Sequence, residues 1–292
     1  MNSGMLPDDL VEAVKLPPHL AGHPWLGDFY GGVPHTVRQI YSGELGWFQG
    51  DPTFLAPIHP IEASRRTVQL MGGRKTVLKT AKKLAKAGDY QWAAELATHL
   101  VRIDHEDWDA RNLKADALRQ IGYGHTNNNW RNWYLTSAQE LDGSIDHSKA
   151  LDLVAPDLLR AFPTSELING MRFRLAAERT LDINMTFGIH LPDLDESYGL
   201  EIRRGVAQFH KTLPDNADVV LELDRSTLES ILLGEVEGVG VDGVHQNTPQ
   251  AALIASLQSG KARLTSGTPE DFKRFFSYFD PLSHEPIPLT IR

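Results

Sequence analysis

Cysteine is absent from the 292 residues, which excludes disulfides, thiolate-held metals and cysteine nucleophiles. No stretch approaches the ~20 unbroken apolar residues of a membrane helix. The first twenty residues carry Asp8, Asp9 and Glu12 and lack the apolar core of a signal peptide, so a cytoplasmic location is expected. Positive charge is scarce: 29 Lys and Arg stand against 38 Asp and Glu, a formal net charge of −9. That balance disfavours general binding to phosphate backbones, and no nucleic-acid partner is expected. Signatures of catalysis are missing too. H-E-x-x-H, H-x-H-x-D-H, G-x-S-x-G and G-x-x-x-x-G-K-[ST] do not occur. His19 and His23 stand four apart, but Pro17, Pro18, Gly22 and Pro24 deny them a helix. The expectation is a chain with no catalytic residue and no metal ligand of its own.

What is present is ordinary globular composition, 41% hydrophobic and 23% charged, over a length that suggests two domains. Residues 1–60 are rich in turn formers and read as an irregular linker with an aromatic arm, its clusters at 25–30 and 41–48. Such segments wrap a surface, line a site or pack on a partner. Over 61–143 the pattern is helical. Val77, Leu78, Ala81, Leu84 and Ala85 share one helix face, followed by Trp92, Ala93, Leu96, Ala97 and Leu100, then by Ala110, Leu113, Ala117 and Ile121. The last two runs have the spacing of a tetratricopeptide-like hairpin, but one unit makes a helical bundle, not a repeat array. Over 144–292 the texture is α+β. Leu181, Ile183, Met185, Phe187, Ile189 and Leu191 alternate as a half-buried strand, residues 200–210 read as a hairpin turning at Arg204-Gly205, and 217–223 alternate again. Thr248-Pro249 and Thr268-Pro269 mark helix starts.

Three features invite a chemical reading. Residues 104–109 are dense in carboxylates, but they lie between helical runs and lack a calcium loop's Gly and Glu; an N-cap such as Asp107 is the stronger reading. Gly238-Val-Gly240-Val-Asp-Gly243 matches G-x-G-x-x-G, yet it follows an apparent helix and is flanked by Glu235 and Glu237, so it reads as a loop. Phe187, Ile189, Phe272, Phe275, Phe276 and Phe279 build either a domain core or the wall of a lipid-sized cavity.

Longer strings are more specific. Phe29-Tyr-Gly-Gly-Val-Pro-His35, Val37-Arg38, Tyr41 and Leu45-Gly-Trp-Phe-Gln-Gly-Asp-Pro52 resemble the dimerisation domain of the alkylsulfatases that hydrolyse dodecyl sulfate. So do Met71-Gly-Gly73, Ala87-Gly-Asp-Tyr-Gln-Trp-Ala-Ala-Glu-Leu96 and Trp130-Arg-Asn-Trp-Tyr-Leu-Thr-Ser-Ala-Gln-Glu-Leu141. Asp224-Arg225-Ser226, Leu232-Leu-Gly234, Gly260-Lys-Ala262 and Phe279-Asp280 resemble that family's C-terminal sterol-carrier-protein-2-like domain. The resemblance implies a homodimer, an alkyl or lipid-like small molecule held by the last domain, and zinc only in a metallo-β-lactamase-like partner domain. It implies either a non-catalytic alkylsulfatase-like subunit or part of a split or truncated alkyl sulfate ester hydrolase. His35, Arg38 and Tyr41 become sulfate-pocket candidates, although Gly43 and Glu44 replace the family's Arg-Tyr pair and a glycine cannot grip an anion.

Overall fold

The computed structural model describes residues 2–146, 156–234 and 249–280. The chain divides into two compact units near residue 150. The Gly-rich motif around Gly238 and the cap at Thr248 lie outside the described residues.

In the first unit the helices are α1 (Pro7–Ala13), α2 (Pro18–Ala21), α3 (Val33–Leu45), α4 (Pro60–Leu70), α5 (Arg74–Lys86), α6 (Tyr90–Ile103), α7 (Trp108–Gly124) and α8 (Asn128–Asp142). The apolar faces read from the sequence meet as one core. Val77, Leu78 and Ala81 of α5, Leu96, Leu100 and Val101 of α6, and Ala138 and Leu141 of α8 are all buried in it. The segment expected to be irregular contains α3, thirteen residues long. Its start signal is Pro34 near the helix N-terminus, a position where proline's missing N–H costs nothing. Turn formers on either side hid this helix.

Two buried ionic side chains fix how these helices join. Asp107 caps α7 by accepting the Ala110 N–H at 3.2 Å. The same carboxylate takes a two-pronged bond from Arg74 of α5, with Nε and Nη2 each 2.6 Å from an oxygen. The Arg74 hydrogen bond holds the Asp107 carboxyl below the usual carboxylate range; burial opposes that shift and the Ala110 N–H supports it. Arg111, also buried, donates to the carbonyls of Leu141 at 2.7 Å and Glu140 at 3.2 Å, closing the last turn of α8, and its guanidinium lies 3.8 Å over the Trp108 ring. Carbonyls at a helix end have no partner within the helix, so a buried end needs such a donor.

The second unit contains α9 (Pro156–Ala161) and α10 (Thr164–Gly170), then β1 (Asn184–Leu191), β2 (Glu196–Arg203), β3 (Val206–His210) and β4 (Val219–Leu223). After these come α11 (Arg225–Leu233), α12 (Pro249–Gln258), β5 (Ala262–Ser266) and α13 (Pro269–Phe276). The sheet order is β3-β2-β1-β4-β5. β1 pairs antiparallel with β2 and parallel with β4, and the outer pairs are antiparallel. The mixed α+β class expected for this half is what the structure has. Met185, Phe187, Ile189 and Leu191 face a core closed by α11, α12 and α13. The strand starts later than the alternation suggests. Leu181 is 60% exposed, because Thr180 is buried and the chain turns there, its hydroxyl bonding the Ala176 and Ala177 carbonyls.

On the opposite sheet face Gly188 and Gly199 are register partners on β1 and β2. The pair leaves a gap that the Leu213-Pro214 segment fills: a Cβ on Gly199 would lie 2.5 Å from the Pro214 ring, and one on Gly188 would strike the Leu213 side chain.

Two outcomes follow from these packings. Asp107→Asn should cost about 2 kcal/mol at neutral pH in denaturant titrations. Because the native carboxyl is shifted down, its contribution is complete above the unfolded-state value and disappears as pH falls through the folded one, so native and variant should converge in acid. Gly199→Ala should cost about 1–3 kcal/mol, since the proline ring is too stiff to step aside; an unchanged melting temperature would show that the 213–214 segment does not sit on the sheet.

Candidate functional site

The two sets of sequence candidates have different fates. Phe187, Ile189, Phe272, Phe275 and Phe279 are buried, and Phe276 is half-buried among them. Their rings occupy the interior themselves: Phe187 stacks on Phe275 at 5.3 Å and meets Phe276 edge-on at 5.0 Å, and Phe272 lies 4.5 Å from Phe276. The spacing that allowed either a core or a cavity wall has produced contacting rings of a core.

His35, Arg38 and Tyr41 share α3 but do not converge. Arg38 pairs with Asp8 of α1 at 2.6 Å. Tyr41 is only 7% exposed. His35 points to α8, where the Trp130 indole N–H lies 3.2 Å from its Nδ1, while the Gly32 N–H lies 3.0 Å from Nε2. A neutral imidazole has one lone-pair nitrogen, so the ring accepts from one of these groups at a time.

The feature that the sequence reading passed over is the amino end of α8. Asn127 is buried and caps that helix, accepting the Trp130 N–H at 3.0 Å. Its amide also donates to the carbonyls of Tyr30 and Gly31, both at 3.2 Å, and Asn129 donates to Tyr30 at 2.8 Å. The Asn128 N–H reaches the Phe29 carbonyl at 2.6 Å. The Phe29-Tyr30-Gly31 segment of the arm is thereby docked through its backbone, and Phe29 and Tyr30 keep exposed side chains.

Beside this dock the rings of Trp130, Trp133 and Tyr134 line an open, mainly apolar pocket of about 250 Å³. His125 packs against two of these rings, stacked on Tyr134 at 5.3 Å and edge-on to Trp130 at 5.3 Å. Gly122 permits the close approach of α7, for a Cβ there would sit 3.0 Å from the Tyr134 Cβ. Burial pushes the Tyr134 phenol above its ordinary range, so it stays protonated at neutral pH. The signal was available in the sequence: tryptophans at i and i+3 followed by a tyrosine at i+4 place three rings on one helix face.

A model of the alkyl sulfatase dimerisation domain matches residues 6–144, and one of the alkyl sulfatase C-terminal domain matches residues 152–285. The chain belongs to the alkylsulfatase family. It is 42% identical to a linear primary-alkylsulfatase of Pseudomonas sp. (strain ATCC 19151), an alignment that covers 100% of this chain and 54% of that protein. Identity to an (R)-specific secondary-alkylsulfatase of Pseudomonas sp. is 35%, covering 97% of this chain and 40% of that one. The solved structure of a stereoselective inverting sec-alkylsulfatase from Pseudomonas sp. matches with a TM-score of 0.82 at 30% identity, over 98% of this chain and 42% of the other. The chain thus spans about half the length of the first relative, its C-terminal part.

Among the described residues no group of three or more His, Asp or Glu side chains could hold a metal ion. No helix among them is long and apolar enough to cross a membrane. What the α8 site can do is hold a segment of backbone and offer an apolar surface.

Replacing Asn127 by Ala removes the cap and both carbonyl bonds. It should cost about 1–2 kcal/mol and speed amide exchange and proteolytic cleavage around residues 29–31; unchanged exchange there would show that the arm is held by something else.

Proposed function

We propose that these residues are the assembly and ligand-holding half of an alkyl sulfate ester hydrolase. In this reading the chain self-associates through its aromatic arm as a homodimer. The alkyl chain of the ligand lies against Trp130, Trp133 and Tyr134. A metallo-β-lactamase-like domain supplies the zinc and the hydrolytic step, and this chain contributes no catalytic residue of its own.

The observation that carries the reading is the outward face of the arm. Trp25 is 83% exposed and Trp47 67%, and Leu26, Tyr30, Phe54 and Leu55 are exposed beside them in sequence. Monomeric proteins rarely present apolar side chains in such number; surfaces of this kind mark interaction sites. They fall inside the residues that match the alkyl sulfatase dimerisation domain, and a symmetric dimer would bring the same aromatic surface to the contact from both copies. His35 then serves to position Trp130 at the pocket.

Light scattering of the purified chain should give the mass of a dimer, and Trp25→Ser with Trp47→Ser should shift it to the monomer. Mixing with a metallo-β-lactamase-like domain from an alkylsulfatase should release sulfate from dodecyl sulfate when neither polypeptide does so alone. His35→Ala should lower that rate several-fold. A monomer at high concentration, or a mixture without hydrolysis, would sink the reading.

A further inference from the structure

The chain as a whole is acidic, yet α5 reads Arg-Lys-Thr-Val-Leu-Lys-Thr-Ala-Lys-Lys-Leu-Ala-Lys without one carboxylate. At 3.6 residues per turn, Lys75, Lys79, Lys82, Lys83 and Lys86 fall within about 100° of arc. Val77, Leu78 and Ala81 turn the other way, into the core. All five lysines are exposed. Lys82 alone among them reaches a carboxylate, Asp109 at 3.8 Å. Among the described residues no carboxylate lies within ion-pair distance of Lys75, Lys79, Lys83 or Lys86, and Arg74 is spent on Asp107. Like charges at i and i+4 repel one another and destabilise a helix slightly. Lys83 and Lys86, in the last turn, complement the helix dipole, but Lys75 and Lys79, nearer its positive end, gain the fold nothing by being basic.

A second observation sits at the head of the same helix. The turn from α4 into α5 presents Leu70, 89% exposed, followed by Met71, also exposed. The tip is not loose: Gly73 donates to the Val68 carbonyl at 2.8 Å and Met71 to that of Thr67 at 3.0 Å. Gly72 and Gly73 adopt φ of 88° and 86°, which the tight reversal requires and L side chains avoid. The fold thus holds two large apolar side chains out in solvent next to a bank of ammonium groups.

We infer that the α5 face and the Leu70-Met71 tip dock the chain on a surface of anionic amphiphile headgroups, such as the sulfates of aggregated alkyl sulfate. The assignment of sulfate as the headgroup rests on the proposed function; the docking geometry does not. Lysines act as mobile point charges suited to a shifting array of headgroups, where each contributes a modest attraction. An apolar tip beside them enters the boundary between headgroups and chains. A nucleic-acid backbone would leave that tip in water, and the face lacks free arginines for two-pronged phosphate contacts. The remaining surface of a chain of net charge −9 is repelled by the same headgroups, so one orientation is favoured.

The test is sedimentation of the full chain with phosphatidylcholine vesicles, plain or doped with hexadecyl sulfate. Binding is expected to the doped vesicles only and to fall as salt is raised. Lys75→Gln, Lys79→Gln, Lys83→Gln and Lys86→Gln should each lower partitioning about fivefold, with circular dichroism unchanged. The four Lys→Arg changes at these positions should preserve binding, and Leu70→Ser should lower it. Equal binding to plain vesicles, an undiminished quadruple Gln variant, or preferred binding to a DNA duplex would each overturn the inference. The readout involves no hydrolysis. Docking without sulfate release in the mixing experiment therefore supports this inference and counts against the hydrolase reading, while the reverse pair of results overturns this inference alone.

Discussion

A buried amide has to find partners for both its donors and its acceptor, and in the first unit Asn127 finds them in two places at once. Its oxygen caps α8 and its N–H groups hold the carbonyls of Tyr30 and Gly31. One side chain thus fixes where a helix starts and where a sequence-distant segment lies. The consequence reaches outward: with its backbone satisfied against α8, the arm has no internal use for its large side chains. Trp130, three residues into the helix, is brought to His35 by the same constraint, and the open pocket forms beside it. An apolar residue in place of Asn127 would take the cap from the Trp130 N–H and the donor from the Gly31 carbonyl, while the Tyr30 carbonyl would keep Asn129.

The second unit solves the same problem with charge. Arg225 follows the strand β4 and opens α11, where its backbone N–H is taken by the Asp193 carboxylate. Its guanidinium then bonds the carbonyls of Leu159 and Phe162, the Thr164 hydroxyl and Glu229. These partners are the end of α9 and the start of α10, so the planar fork of one arginine anchors the short helices to the sheet. A lysine could not match that set, because an ammonium cannot reach four acceptors spread in a plane. Arg111 plays the corresponding part in the first unit. In both, a guanidinium group bonds carbonyls at a helix end, at α8 alongside the left-handed glycine cap Gly143.

How much of this could be read from the sequence depended on whether the signal was periodic. The strand at 184–191 and the helix faces of α5, α6 and α7 were legible because burial repeats at two or at three to four residues. The caps at Asp107 and Thr268 were legible because the residue types are specific to helix starts. α3 was missed: Pro34 was counted among the turn formers of an irregular segment, although at the head of a helix it is a start signal. β5 was missed because Ala-Arg-Leu-Thr-Ser is a polar edge strand with one buried position. The pocket at α8 was invisible as a site because its rings read as a helix face, and which faces stay open is decided by packing between elements distant in the chain. Three candidates on one helix, His35, Arg38 and Tyr41, were brought apart for the same reason: spread over nearly two turns of α3, they meet different neighbours.

Net charge is the quantity that misled most directly, because it is an average. A value of −9 excludes a protein that is basic everywhere; it says nothing about a helix whose acids have all been placed elsewhere. The carboxylates that might have neutralised α5 are committed: Asp107 to a cap and to Arg74, Asp109 to Arg74 and Lys82. Asp107 is bonded inward and Asp109, exposed, reaches only Arg74 and Lys82, which leaves the rest of the lysine face unpaired. The stability of the α5–α7 junction and the basic character of the surface beside it therefore have one cause, the direction in which two aspartates point.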